Sequence, residues 1–473
     1  MVLGLGIVRA LVDGSVVNAA EVFGVPDVTT KEMRSAILGW LDAYFDDSGD
    51  NEHDPCMRMA YTIVQKLQKG VFAEYRSDIL DKAKTAKGAW MDENLSALDR
   101  AKTELLQWML IGGECWAKPV PCRLQDGRMG FRPLIARRQD AAILGRAANG
   151  GVTGIGTAEY AVQGNRYYTL FEKRITDENG YLTIENKLYR SYNKHTIGSP
   201  APLTELAQYA GLPVRCTWAK PVGGLGMASL RMPAVNCVDG SADAVSVYAP
   251  AMGLIERIDR NEKQLCEEFD LARHRITVPE DMLKKSANGQ RALKDSIFVG
   301  MADLRQEMQP LAFSPELRDE PYERREQHYL RAVENLLGMK RGMLSNAQEV
   351  EKTAFEIAST AGDYNLSLID LQRAWYDCAR EYLTLCDRIG QMYGYCDQSA
   401  WDAGEQLAIT WGNGVLYDPD KELETDLRLA SAQLLRPEIV LARRYDLPWE
   451  TEEDLAAIRA KYMPAMEALE PEV

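Results

Sequence analysis

Histidine is scarce in this chain. Four occur in 473 residues, and none sits at ligand spacing to a cysteine pair, so a zinc site is not expected. The nine cysteines, at 56, 115, 122, 216, 237, 266, 378, 386 and 396, include no CxxC pair. An odd number without that pairing argues against a disulfide scaffold and fits reduced, buried thiols in a cytosolic setting. Long apolar runs are missing as well. None reaches the roughly 18–20 residues that span a bilayer, so no membrane partner is expected. The opening MVLGLGIVRALVDG is apolar, yet it lacks a basic leader and is interrupted by Arg9 and Asp13. It reads as a mature N-terminus and not as a signal peptide. Basic side chains are outnumbered, 55 against 70 acids, for a net charge of −15. Affinity for phosphates comes from Lys and Arg, so a surface of this sign does not grip nucleic acid all over. It remains compatible with a surface past which nucleic acid slides.

What is present is ordinary globular material, 26% charged and 46% apolar, long enough for two to four domains. No repeat and no low-complexity tract stands out. Residues 31–46 are helical in pattern, with Met33, Ile37, Trp40, Leu41 and Tyr44 on one side. Two more helices are expected over 57–74 and 92–111, the second ending at Gly112-Gly113. From about 116 to 191 the pattern turns to strand. EKRITDENGYLTIENKLYRS reads as a hairpin around Asn179-Gly180. Residues 196–240, rich in Pro and Gly, read as irregular.

The stretch SVYAPAMGLIERIDRNEKQLCEEFDLARHRITVP, from Ser246 to Pro279, begins with Pro250 suited to a first helical turn. Apolar side chains recur at Leu254, Ile258, Leu265, Phe269 and Ala272, and the other faces are thick with charge. At ~1.5 Å per residue, a helix over 249–273 is on the order of 35 Å long. An insert with short strands (RITV, SIFVGM) and a small helix follows over 275–320. A second charged helix is expected from Tyr322 to Met343, then a junction and another long helix, then an acidic helical tail.

Candidates for chemistry are weak. GGLGMAS (223–229) has no strong strand before it and no GK[ST] after it, so a structural loop is the better reading. Asp46, Asp50 and Asp54 in FDDSGDNEHD are candidate cation ligands without the spacing of a calcium loop. Asp418 and Asp420 are also candidates, but Asp418 before Pro419 reads as a helix cap. Cys266 and His274 lie eight apart and do not share a helix surface patch. Cys378 and Cys386, with Trp375 and Leu385, read as helix core. No catalytic residue, cofactor or metal is assigned, and the chain does not read as an enzyme.

The order of elements is more specific than any one motif. RMAYTIVQKLQKGVFAEY (58–75), LLQWMLIGGECWAKP (105–119), YYTLFEKRITDENGYLTIENKLYRS, the Ser246–Pro279 stretch, EVEKTAFEIAS and WGNGVLYDPDKELETD follow one another. This order resembles the portal (head–tail connector) proteins of tailed bacteriophages, of the type found in long non-contractile-tailed phages and prophages. The resemblance implies an α+β, mostly helical fold, assembled as a cyclic ring of about twelve copies. It implies a wing over 1–240 with a return over 367–417, a first stem helix over 241–274 and a clip over 275–320. A second stem helix over 321–343, a tunnel loop and helix over 344–366 and a helical crown over 418–473 complete the division.

On that footing Leu254, Ile258, Leu265 and Phe269 are stem-packing residues, the narrow apolar seams of a helix that packs against neighbours and faces a water-filled channel. Glu349, Lys352, Phe355 and Glu356 are channel residues at helical spacing, with Gly362 and Asp363 as a break before the next helix. The implied partners are further copies of the chain, the large terminase subunit, a head-completion adaptor, the major capsid protein, scaffolding protein and the double-stranded DNA in transit. The implied setting is a capsid vertex of the virion, after synthesis in the bacterial cytoplasm. The rival readings are a metal-dependent nucleic-acid enzyme built on the 45–54 acids and a virion structural protein of another type.

Overall fold

A computed structural model describes residues 19–45, 56–81, 85–194, 196–221, 223–271, 275–279, 298–301, 311–313, 319–346, 354–411, 426–430, 435–445 and 452–463. The chain divides into a unit spanning Met1–Thr410 and a second spanning Trp411–Val473. Helix outweighs strand about two to one, 48% against 22%, so the fold is mixed α+β.

The first unit opens with α1 (Ala19–Phe23), α2 (Lys31–Phe45) and α3 (Met59–Val71). Thr30 caps α2, its Oγ1 accepting from Met33 N at 3.1 Å. The helix buries Met33, Ile37, Trp40, Leu41 and Tyr44, the stripe expected from spacing. Strand β1 (Arg76–Ile79) leads to α4 (Ala86–Gly112). This helix starts six residues before the expected 92, because Thr85 caps it by accepting from Gly88 N at 3.0 Å. It stops at Gly113, which takes φ +82°. A Cβ there would stand 2.7 Å from the backbone of Ala244, so glycine is required.

β2 (Glu114–Arg123) and β3 (Met129–Arg137) pair antiparallel. β4 (Ala141–Arg146), β5 (Val152–Gln163), β6 (Arg166–Thr176) and β7 (Leu182–Ser191) form the larger sheet. The β6–β7 hairpin turns around Asn179-Gly180. Gly180 has φ +82°, and Asp177 Oδ1 accepts from Asn179 N and Tyr181 N at 3.0 and 2.8 Å. The 196–240 region is less irregular than expected. β8 (Ser199–Ala201) and β9 (Arg215–Thr217) both pair with β7, and β10 (Ala228–Arg231) pairs with β2. These strands are three or four residues long, too short for alternation to declare them. In the GGLGMAS loop, the carbonyls of Leu225 and Gly226 accept from Arg174 at 3.0 and 3.2 Å.

After a short 249–251 turn come α5 (Met252–Leu271) and a three-stranded insert sheet of β11 (Arg275–Pro279), β12 (Phe298–Met301) and β13 (Leu311–Phe313). β11 is central, parallel to β12 and antiparallel to β13. The small helix expected in the insert lies outside the described residues. α6 (Asp319–Leu336) follows. It ends short of the expected Met343 because Gly338 adopts φ +61° and Met339 N reaches back to Glu334 O at 2.8 Å, a glycine-terminated stop.

α7 (Ala354–Tyr393) runs without interruption through Gly362 and Asp363, which corrects the expected break. A lone glycine costs a helix only about 1 kcal/mol. Further along, Leu368, Leu371, Trp375, Cys378, Tyr382, Cys386 and Ile389 are all buried at spacings of three or four and hold the helix in place. α8 (Ala403–Gln406) and β14 (Leu407–Thr410) close the unit, with β14 antiparallel to β1.

The second unit contains α9 (Pro437–Tyr445) and α10 (Glu452–Tyr462). Val440, Ala442, Leu455 and Ile458 are buried in it, and Arg459 forms an ion pair with Glu438. Asp418 and Asp420 lie outside the described residues.

Candidate functional site: a charged helix pair and its footing

α5 and α6 pack side by side. Asn261, midway along α5 and 2% exposed, donates to Tyr322 O at 3.1 Å and accepts from Arg325 Nε at 2.5 Å. Arg325 Nη2 also donates to Gln264 Oε1 at 2.6 Å. The 249–251 turn that precedes α5 touches α6 too, so the helices run antiparallel. The seam is narrow: Ala251 from the turn and Ile255 and Ile258 from α5 are buried, with Leu330 and Val333 from α6.

Charge fills the rest. α5 carries six acids and three bases, and α6 five acids and three bases. Acids crowd one another at the pair: burial, then Glu262 and Glu323, push the Glu326 carboxyl up. Cys266 is half-buried, and burial followed by Glu262 raises its thiol, which keeps it from being a ready nucleophile. His274 lies outside the described residues.

The four predicted seam residues divide. Ile258 is buried, Leu254 and Leu265 are half-buried, and Phe269 is 48% exposed. The subunit's own packing uses Ile255 and Asn261 instead, which spacing by apolar type alone passes over. Of the channel candidates, Glu349 and Lys352 lie outside the described residues, while Phe355 and Glu356 fall near the start of α7. Asp46, Asp50 and Asp54 lie outside as well. Among the described residues no group of three or more His, Cys, Asp or Glu is placed to hold a metal ion.

The foot of α5 is held tightly. Ser246 Oγ donates to Leu110 O at 2.9 Å, and Tyr248 OH donates to Trp40 O at 2.8 Å. Val247 N also donates to Leu110 O, at 3.0 Å. Just upstream, buried Asp243 accepts from Arg138 at 3.1 Å and Arg146 at 2.6 Å. These residues are about a hundred positions apart in sequence and carry no local signal. Of the nine cysteines, Cys115, Cys378 and Cys386 are buried, Cys237 is exposed and the other five are half-buried. The expectation of buried thiols therefore holds for a minority.

A cavity of about 360 Å³ opens between α2 and the larger sheet, over Ile37, Leu38 and Phe171. Arg138 Nε and Gln139 Oε1 on its lining are buried without a hydrogen-bond partner, and the Asp140 carboxyl and the Tyr160 hydroxyl lie buried beside each other. Burial raises the Asp140 carboxyl, against the pull of Arg137 at 2.6 Å. Such a site suits water or a small polar molecule. Among the described residues no helix is long and apolar enough to cross a membrane. No family model matches the chain, and no curated protein matches it.

Proposed function

We propose that the protein is a portal subunit: a cyclic ring of about twelve copies at one capsid vertex, through which DNA is packaged and later ejected. The observation that carries the reading is the antiparallel pair α5–α6, charged over most of its surface and bracketing a separate three-stranded sheet. A helix pair with so thin an apolar seam buries little of itself within one chain. Packed beside copies of itself around a water-filled channel, it needs no more.

The insert is the docking platform, for the large terminase subunit first and a head-completion adaptor later. The ring acts as a passive conduit, and ATP hydrolysis belongs to the terminase. Acid excess serves that task, since each phosphate neutralised by a basic lining adds affinity through counterion release and slows transit, whereas repulsion keeps the duplex off the wall.

Negative-stain imaging with native mass spectrometry of the purified chain tests this. The expected result is a closed ring with a central hole. A monomer across a range of salt, or divalent-dependent nuclease activity in that monomer, would overturn it in favour of a nucleic-acid enzyme.

A further inference from the structure

Arg138 stands in the short 138–140 turn between β3 and β4, lines the cavity beside α2, and is 2% exposed. Its Nη1 donates to Ala141 O at 3.0 Å, and its Nη2 to Thr29 Oγ1 at 2.9 Å and Asp243 Oδ1 at 3.1 Å. Its Nε–H is buried with no hydrogen-bond partner. The next residue, Gln139, lines the same cavity, and its Oε1 is buried without a partner as well. A buried donor left unmade is a standing cost to the fold, larger when the group is charged.

Positive charge is in excess around Arg138. Its ion-pair partner Asp243 also holds Arg146 at 2.6 Å, so one carboxylate answers two guanidinium groups. The carboxylates on the cavity lining are engaged by other bases: Asp27 pairs with Arg34 at 2.8 Å, and Asp140 with Arg137 at 2.6 Å. Glu21 on α1 is matched in number by Lys31 at the start of α2. The cavity reaches from Lys31, which is exposed, to Phe171, which is fully buried. Ile37, Leu38, Ala142 and Phe171 give it an apolar wall. Its volume of about 360 Å³ is more than twice the ~150 Å³ that admits benzene. Water would satisfy the Nε–H, but it would leave the charge unanswered and the apolar wall wet.

We propose that this cavity binds a small organic carboxylate, which accepts from Arg138 Nε and lays its apolar body against Phe171, Ile37 and Leu38. The carboxylate supplies the missing acceptor and the missing negative charge together, and a charge-assisted bond in a buried site is the strong kind. A half-turn of the Gln139 amide exchanges its unpartnered oxygen for an NH₂ and provides a second donor. The apolar body selects against inorganic anions, and the guanidinium selects against neutral molecules of the same shape. The site lies in the first unit, away from the α5–α6 pair, and does not depend on the portal reading.

The test is saturation-transfer NMR and calorimetric titration of the purified full chain with benzoate, benzyl alcohol and inorganic phosphate. Benzoate should bind saturably with a dissociation constant of about 1 mM or below. Benzyl alcohol, which keeps the ring and lacks the charge, should bind at least about tenfold more weakly, and phosphate should not displace benzoate. Ala158→Leu fills the cavity while leaving every bond of Arg138 in place, and should weaken benzoate at least about tenfold. Should that variant not fold, Leu38→Trp, at a half-buried position on the α2 side, serves the same purpose. No saturable benzoate binding overturns the proposal and leaves a water-filled cavity. Equal binding of benzyl alcohol overturns it in favour of a merely apolar pocket, and displacement by phosphate in favour of an inorganic anion site. Unchanged benzoate binding in the folded cavity-filling variant places the ligand elsewhere and overturns it too.

Discussion

Glu334 and Ser345 hold each other twice: Ser345 N donates to Glu334 Oε1 and Ser345 Oγ to Oε2, both at 2.8 Å. Leu344 N adds a third bond to Oε1 at 2.6 Å. Glu334 is fully buried, so this carboxylate on α6 folds the segment after the helix back onto it. Glu334→Ala should strand two backbone donors and cost about 2–4 kcal/mol. Urea unfolding measures the loss, and limited proteolysis at Lys340 and Arg341 should accelerate with it. Ser345→Ala, which keeps the backbone bonds, should cost only about 1 kcal/mol.

Gly113→Ala should destabilise by about 2 kcal/mol or more. The position combines φ +82° with a Cβ site 2.7 Å from the Ala244 backbone, so strain and overlap add. Gly127→Ala, at φ +84° with open space around it, isolates the strain alone and should cost less. Thermal unfolding of the two variants checks the difference.

Acid should weaken the larger sheet in a defined window. Burial opposes ionisation of Glu172, but Arg174 and then Lys118 outweigh it and hold the carboxyl at about 2. A depressed carboxyl stabilises the fold above its ordinary value of 4.5 and loses that contribution as pH falls toward about 2. Glu172→Gln should flatten this part of the stability profile and cost about 3–5 kcal/mol at neutral pH, because Arg174 and Lys118 lose the charge they share.

Phe269→Glu separates the subunit's fold from its assembly. The side chain is 48% exposed, so the melting temperature of an isolated subunit should barely move. If α5 packs against a neighbouring copy, rings should be lost or shifted to partial oligomers in native mass spectra. Wild-type rings in this variant would place the lateral contact elsewhere.

The sequence made some elements plain for physical reasons. α2 was legible because five apolar side chains share one face. The β6–β7 hairpin was legible because Asn179-Gly180 suits a turn and alternating residues flank it. Two insert strands and the first charged helix were placed to within a few residues, whereas the second charged helix ends seven residues before its expected Met343 and β13 was not foreseen. What escaped was whatever depends on distance in space. Asn261 looks like a surface residue until Tyr322 and Arg325 close over it. The Asp243 network and the cavity over Phe171 join segments far apart in the chain. Gly362 looked like an end because a glycine's local preference was weighed without the buried face that follows it.

The footing of α5 has a mechanical meaning. The helix extends about 30 Å from its first turn to the insert, yet its base is fixed by Ser246, Val247 and Tyr248 to carbonyls of α2 and α4. It is therefore a post fixed at its base and braced along its side by α6. A lateral pull on the insert is shared between that brace and the anchors at Tyr248 and Ser246. From the anchors it passes into the helical layer around Trp40 and Leu110 and, through Asp243 and Arg146, into β4.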